Sequence, residues 1–406
     1  MGQRGNTPLK SKIHLIDLFI FTKESYPKLA QYQIFFVYLQ LYRINVHNRL
    51  MQIPQSDILT TNRLGRVFSN TTATYKFFWL VSILQIHAKN DNPRINVWDI
   101  VIRMVANAWY PIHYFRLSFG KGDSLFSIVI ELQRVTQIPI DANTNTIINE
   151  LTSRLEEGQI KRQLYTLTRN VPYRFLSPWI SYSSDDEVVK RSQTLENGCL
   201  YSLHKERNDF YIKLNPAWSN YLHNHYNLLV DFAYWNLTLF LQTRNPNVPA
   251  IPNKLIRPEA RTQLTKQHNY WDMVMNIGGP IHCIYTDKEL HPQDYVLDHF
   301  IPWSFVSHDL LWNLVPSDGS INSSKSNKLP DLNIYLPKFA DLQHHSIQLL
   351  LNANKKPSAI DDYISLGYTA NELASMDDIH FQELYRKTFN PINQIALNMG
   401  FETWKY

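Results

Sequence analysis

Hydrophobic positions in the first 160 residues recur at helical spacing. Val97, Ile100, Val101, Met104, Val105, Ala108 and Trp109 form one apolar face at i, i+3, i+4, i+7, with Pro111 following as a stop signal. Asp123 is placed to cap a second helix through Leu125, Ile128, Val129 and Leu132, and Ile147, Ile148, Leu151 and Leu155 repeat the pattern. Residues 74–84 (TYKFFWLVSIL) are apolar nearly all round, which predicts a helix buried on every side.

The period changes at Cys199. CLYSLH, the polar KERND and then FYIKL read as a β-hairpin. Asn215 and Pro216 make an N-cap and N1 pair that opens one long helix to about Gln242. Helices followed by a hairpin suggest a winged-helix-like unit. Pro246, Pro249, Pro252 and Pro258 stiffen residues 243–264 into an extended connector. Beyond it come a short helix at 265–276, a turn at NIGGP (276–280) and helical patterning again over 340–406. The expected fold class is α+β. A mostly helical region, 1–242, carries a small hairpin and senses a signal or binds DNA or a partner; a Pro-rich connector, 243–264, joins it to a C-terminal unit, 265–406.

Composition narrows the function classes. An apolar fraction of 44% is enough for proper cores, and only 12 glycines in 406 residues argue against a Gly-rich nucleotide-binding architecture. The net charge of +5 is compatible with a nucleic-acid partner without identifying one. Cys199 and Cys283 form no CxxC pair, which points to a reducing, cytoplasmic setting. The N-terminal apolar run is short and broken by Asp17, so neither a signal peptide nor a membrane span is expected.

The chemistry concentrates in residues 283–330. YVLDHF is a strand-like run ending in Asp298 and His299, and Pro302 breaks it. LLWNLV (310–315) is a second apolar run holding one polar residue, Asn313, and the polar loop SDGSINSSKSNK follows. Asp298 at a strand end can hold a hard cation through oxygen. His299, neutral near pH 7, can take a proton from water. Asn322 offers a second oxygen without charge, and Lys325, one helical turn on, could meet a phosphate. Metal, base and cation together are what phosphodiester hydrolysis requires.

This segment resembles the ββα-metal fold of HNH endonucleases, and is especially similar to the HNH domain of RNA-guided CRISPR effector nucleases. Asp298 and His299 with Pro302 and Ser304, then Asn313, then Asn322 with Lys325, Ser326 and Pro330 carry the resemblance, over roughly 50 residues. It implies His299 as the general base, Asp298 and Asn322 as ligands of one Mg²⁺ (or Mn²⁺), Asn313 as the residue that fixes the loop and orients the histidine, and Lys325 as a phosphate contact. It also implies a DNA substrate and a role in bacterial defence against phage or plasmids, with other defence-system subunits or a second copy as partners. The sequence departs from the family in two places. Cys283 lacks a second cysteine, so no structural zinc is expected, and packing by Tyr285, Leu290, Trp303 and Trp312 must suffice. Ser320 stands where some relatives place an aspartate.

Charge sharpens the DNA question. Residues 281–331 hold seven acids and three bases, a net −4, so the module alone should grip DNA poorly. Residues 244–266 hold Arg244, Lys254, Arg257, Arg261 and Lys266 against Glu259, a net +4. They form a candidate phosphate track, together with Lys161, Arg162, Arg169, Arg174 and the hydroxyl of Ser304. His308, His344 and His345 lie off the motif and read as structural or surface groups. The rival reading is an inert HNH-fold DNA-binding or adaptor protein that works through its N-terminal region.

Overall fold

The computed structural model describes residues 53–90, 92–194, 198–206, 209–258 and 263–406. Contacts divide the chain into Met1–Gln55 and Ser56–Tyr406. The elements that follow all lie in the second unit. The expectations for residues 1–52 and for Arg261 fall outside the described residues.

Helix α1 (Tyr75–His87) is buried on nearly every side, as its unbroken apolar run requires. It packs against α2 (Val97–His113), whose N-cap Asn96 accepts a hydrogen bond from the Trp98 amide. Pro111 does not stop α2 at once but lies in its last turn, where its missing N–H leaves the Asn107 carbonyl without an i+4 donor, and the helix ends two residues later. Asp123 caps α3 (Ser124–Thr136) as expected, accepting from the Leu125 amide, and its other oxygen accepts from the Thr74 amide at 2.7 Å. Its second bond ties the start of α3 to the start of α1. Helices α4 (Thr144–Ser153) and α5 (Gly158–Thr168) complete this layer against α2.

Strands β2 (Tyr201–Glu206) and β3 (Asp209–Leu214) form the expected hairpin. A third strand, β1 (Arg94–Asn96), pairs antiparallel with β3, giving the order β1-β3-β2. Three residues with one buried side chain, Ile95, are too short a pattern to read as a strand. The long helix expected after Pro216 is two helices, α6 (Pro216–Asn224) and α7 (Tyr226–Gln242). His225 leaves the helical region between them, with φ −118° and ψ 23°.

The connector is packed rather than free. Ile251–Lys254 form a 3₁₀ turn, and Val248, Ile251 and Leu255 are buried. Asn245 accepts from the Ser118 amide and donates to the carbonyls of Ser118 and Leu241, at 2.8–2.9 Å. Helix α8 (Thr265–Gly278) follows and ends at Gly279, whose φ of +87° suits glycine. A Cβ on Gly278 would lie 2.6 Å from the Leu349 side chain, so this residue lets α8 approach its neighbour.

Strands β4 (Ile281–His282) and β5 (Glu289–Leu290) form a small ribbon. Strands β6 (Val296–His299) and β7 (Leu314–Ser317) pair antiparallel, with Asp298 opposite Val315 and His299 opposite Leu314. The polar stretch after β7 contains helix α9 (Gly319–Lys325), capped by Asp318 through the Ser320 amide. This completes the ββα unit, and the α+β class is observed. A two-strand parallel pair, β8 (Leu329–Pro330) with β9 (Thr403–Trp404), ties the end of the unit to the C-terminus. Helices α10 (Leu332–Asn352) and α11 (Asp378–Asn398) supply the core behind it, where Phe300 stacks on Phe339 at 4.2 Å and both meet Phe389. No described helix is long and apolar enough to cross a membrane.

The helical layer and the ββα unit touch directly. The Phe115 and Trp303 rings lie 5.7 Å apart, Arg116 donates to the Gly400 carbonyl, and Asn253 donates to that of Ser307 at 3.4 Å. Lys254 sits at this junction, fully buried. Its ammonium donates to the Pro249 carbonyl at 2.6 Å and lies 5.6 Å from the centre of the Phe115 ring.

Burial without an acidic partner pulls the Lys254 pKa down to about 7. Between pH 7 and 10.5 the unfolded chain therefore binds more protons, and stability should rise with pH across that window. Lys254→Met should abolish this rise. The variant should be more stable than wild type by a few kcal/mol, on the order of the shift, at pH 6–7, and the gain should vanish near pH 10.5. Urea unfolding at pH 6, 8 and 10 measures it, and equal pH slopes in the two proteins would contradict it.

Candidate active site

Asp298, at the penultimate position of β6, is 3% exposed. Its carboxylate is gripped from two directions. The Tyr285 hydroxyl donates to Oδ2 at 2.6 Å, and the Lys325 ammonium to Oδ1 at 3.0 Å. Lys325, the last residue of α9, also donates to the His299 carbonyl at 2.7 Å, so one buried side chain fastens the helix to the end of the strand. Burial lowers the Lys325 pKa from its ordinary value, and the Asp298 carboxylate opposes that shift. Burial first, then Asp298, push the Tyr285 phenol well above its own. Lys325 is fully buried beneath Asp298, so it does not present a charge to a phosphate at the surface, as its polar surroundings in the sequence suggested.

Asn313 closes the same end of the hairpin, next to Leu314, the partner of His299. Its Oδ1 accepts from the Ile301 amide and its Nδ2 donates to the Ile301 carbonyl, both at 2.9 Å, while its own carbonyl accepts from the Phe300 amide. The side chain is fully buried and satisfies both backbone groups of Ile301, the second residue past the strand, where Pro302 prevents regular pairing. Asn313 thereby fixes the loop that carries His299.

His299 is mostly buried, and its Nε2 lies 2.8 Å from Oδ1 of Asp309. Asp309 counted in the sequence only as one of seven acids. The signal that could have singled it out is an acid ten residues past the histidine, after a short helix that ends in left-handed Ser307. Asp298, His299, Asp309 and Asn322 all line one open cleft of about 410 Å³. Tyr114 and Asp141, which belong to the helical layer, line the same cleft. Three aspartates and no lysine or arginine line the cleft among the described residues.

The remaining expected contacts separate. Lys254 and Ser304 are fully buried, Lys254 on the Pro249 carbonyl and Ser304 within the short helix Trp303–Val306, so neither can reach DNA. Arg244 stacks on Phe240 at 3.4 Å and donates to the Phe240 carbonyl and the Thr243 hydroxyl. Arg257 and Lys266 are exposed, as are Arg162, Arg169 and Arg174. Lys161 pairs with Glu156 at 2.8 Å. His344 is structural, bonded to Asp378 and to the Leu373 carbonyl. Cys283 is fully buried, its thiol 3.9 Å from the Ser317 hydroxyl. Tyr285 packs on Tyr335 and Trp404 and Trp312 on Phe389, whereas Trp303 packs on Phe115 of the helical layer.

An antiparallel hairpin and a helix that bring an Asp-His pair and Asn322 to one cleft, with Asn313 buried as the clamp on the loop, agree with the match of residues 283–331 to the HNH endonuclease family model. Residues 283–331 form an HNH endonuclease domain. The HNH class is nuclease-type, and its partner is nucleic acid. No curated protein and no solved structure gives a significant match to the chain. Among the described residues no three His, Cys, Asp or Glu side chains cluster as a metal site.

Because the Asp298–Lys325 pair is shut away from water, removing one partner strands the other charge. Lys325→Met should destabilise the protein by about 3–5 kcal/mol, and Asp298→Asn combined with Lys325→Met should recover most of that loss. A double-mutant cycle in urea unfolding reads the coupling. A single-variant cost below ~1 kcal/mol would mean the pair is solvated and the burial incorrect.

Proposed function

We propose that this protein is a divalent-metal-dependent endonuclease that hydrolyses DNA phosphodiester bonds, with His299 as the general base. The observation that carries the reading is the convergence of Asp298, His299 and Asn322 on one open cleft. A histidine with one nitrogen engaged by a carboxylate keeps the other for proton transfer. Nδ1 of His299 has no hydrogen-bond partner among the described residues. It would take the proton as a water attacks phosphorus, and the leaving oxygen would depart on the far side of the in-line displacement.

The cleft's own charge argues for a cation. A phosphodiester would meet Asp141, Asp298 and Asp309 there, with the Lys325 ammonium buried behind Asp298. Asp298 and Asn322 fit a hard divalent ion by donor chemistry, since both offer oxygen and both line the cleft. Asp298 keeps lone pairs beyond the two used by Tyr285 and Lys325. Mg²⁺ or Mn²⁺ held by these two residues would neutralise charge on the phosphate. The exposed Arg257 and Lys266 are the candidate contacts to the DNA backbone outside the cleft.

His299→Ala should lower plasmid nicking by at least ~10²-fold, the usual contribution of a positioned general base, with the thermal midpoint shifted by no more than a few degrees. Nicking of supercoiled plasmid is followed beside a thermal melt. Wild-type cleavage rates in the variant would overturn the assignment of His299. A wild-type protein that binds DNA in Mg²⁺ without cutting it would favour the adaptor reading.

A further inference from the structure

We infer that Asp309 is a positioning residue that holds His299 as the Nε2–H tautomer, leaving Nδ1, which has no hydrogen-bond partner among the described residues, as the basic nitrogen. The inference rests on the reading of His299 as the general base. A carboxylate 2.8 Å from Nε2 can only accept, so the imidazole nitrogen facing it carries the proton. The second nitrogen is then unprotonated and can receive one. After it takes a proton from water, the ring is an imidazolium with N–H on both sides, and the Asp309 carboxylate balances the new charge at the far nitrogen. No atom of Asp309 joins the reaction, and it stays ionised throughout.

The loop that carries Asp309 is held in place from three sides. Gln267 of α8 donates to the Asp309 carbonyl at 2.9 Å. Asn253 of the connector donates to the Ser307 carbonyl at 3.4 Å, and the Asp362 carboxylate accepts from the Leu311 amide at 2.8 Å. Ser307 turns the chain in the left-handed region, with φ +56°, and so starts this loop directly after the helix Trp303–Val306. The side chains of His299 and Asp309 are 11% and 27% exposed, so water competes weakly for their hydrogen bond. Connector, α8 and the C-terminal helices therefore all act on the orientation of one imidazole. A loop tied this way is built for aiming a carboxylate, whereas a carboxylate meant for solvent needs no such anchoring.

The competing role for Asp309 is direct ligation of the metal. Asp309→Asn separates the two at nearly constant shape. In the full-length protein, nicking under saturating Mg²⁺ should fall by about 10²–10⁴-fold in kcat, with KM for DNA and the Mn²⁺ half-saturation concentration unchanged within about threefold. Nitrogen-15 spectra of the ring of His299, assigned by the His299→Ala variant, should show the Nε2–H tautomer in wild type and a mixed or inverted tautomer in Asp309→Asn. A tenfold or larger rise in Mn²⁺ half-saturation with the saturating rate preserved would overturn the positioning role in favour of ligation. An Nδ1–H tautomer in wild type, or an unchanged ring spectrum in the variant, would overturn it as well. The spectra are read whether or not the protein cuts DNA, so loss of the nuclease reading and loss of this inference are distinguishable.

Discussion

The candidate site depends on one buried ion pair. Lys325 at the end of α9 and Asp298 near the end of β6 meet at 3.0 Å, Lys325 fully buried and Asp298 nearly so at the wall of the cleft. Neither charge would be tolerable there alone, because an isolated ion in a protein interior is disfavoured by several kcal/mol. Tyr285 adds a second bond to the same carboxylate, and Lys325 adds one to the His299 carbonyl. The helix is thereby locked to the hairpin at the point where the chemistry is to occur. A site held by charge-assisted hydrogen bonds between strand, helix and upstream turn has little freedom to drift.

Around that pair the structure solves two orientation problems with neutral or balanced groups. Asn313 satisfies both backbone groups of Ile301 and so sets where the chain leaves β6. Asp309 meets His299 and sets which way the ring faces. What the cleft lacks among its described lining is a cation facing its open space. A polyanion approaching three carboxylates is repelled unless a bound ion intervenes, and this is the physical reason for reading the site as metal-dependent. Tyr114 and Asp141 bring the helical layer into direct contact with the same space.

Much of this was legible in the sequence because its signals are local. The apolar faces at 97–109 and 125–132, the all-round apolar run at 74–84 and the caps Asp123 and Asn215 each depend on residues within a few positions, and each was found as helix or cap. The strand ending in Asp298 and His299 is local in the same way, whereas Asn313 and Asn322, 14 and 23 residues past His299, are joined to it by the resemblance to HNH endonucleases. Long-range pairings gave no such signal. The three residues of β1 become a strand only beside β3, and Leu329–Pro330 only beside Thr403–Trp404. His225 breaks a helix that has no proline or glycine at that point. Lys254 and Lys325 look like surface cations in a one-dimensional reading, because charge along a chain does not report burial. Asp309 escaped because its role depends on a contact across a folded loop.

The central claim is that the cleft acquires its ability to act on a phosphodiester from a divalent ion. Conversion of supercoiled plasmid to nicked circle by the full-length protein, followed over a Mg²⁺ series and in excess EDTA, tests it most directly. The account requires cleavage that rises with Mg²⁺, saturates and stops on chelation while the protein stays folded. Equal cleavage in EDTA, or none at any Mg²⁺ or Mn²⁺ concentration, would contradict it.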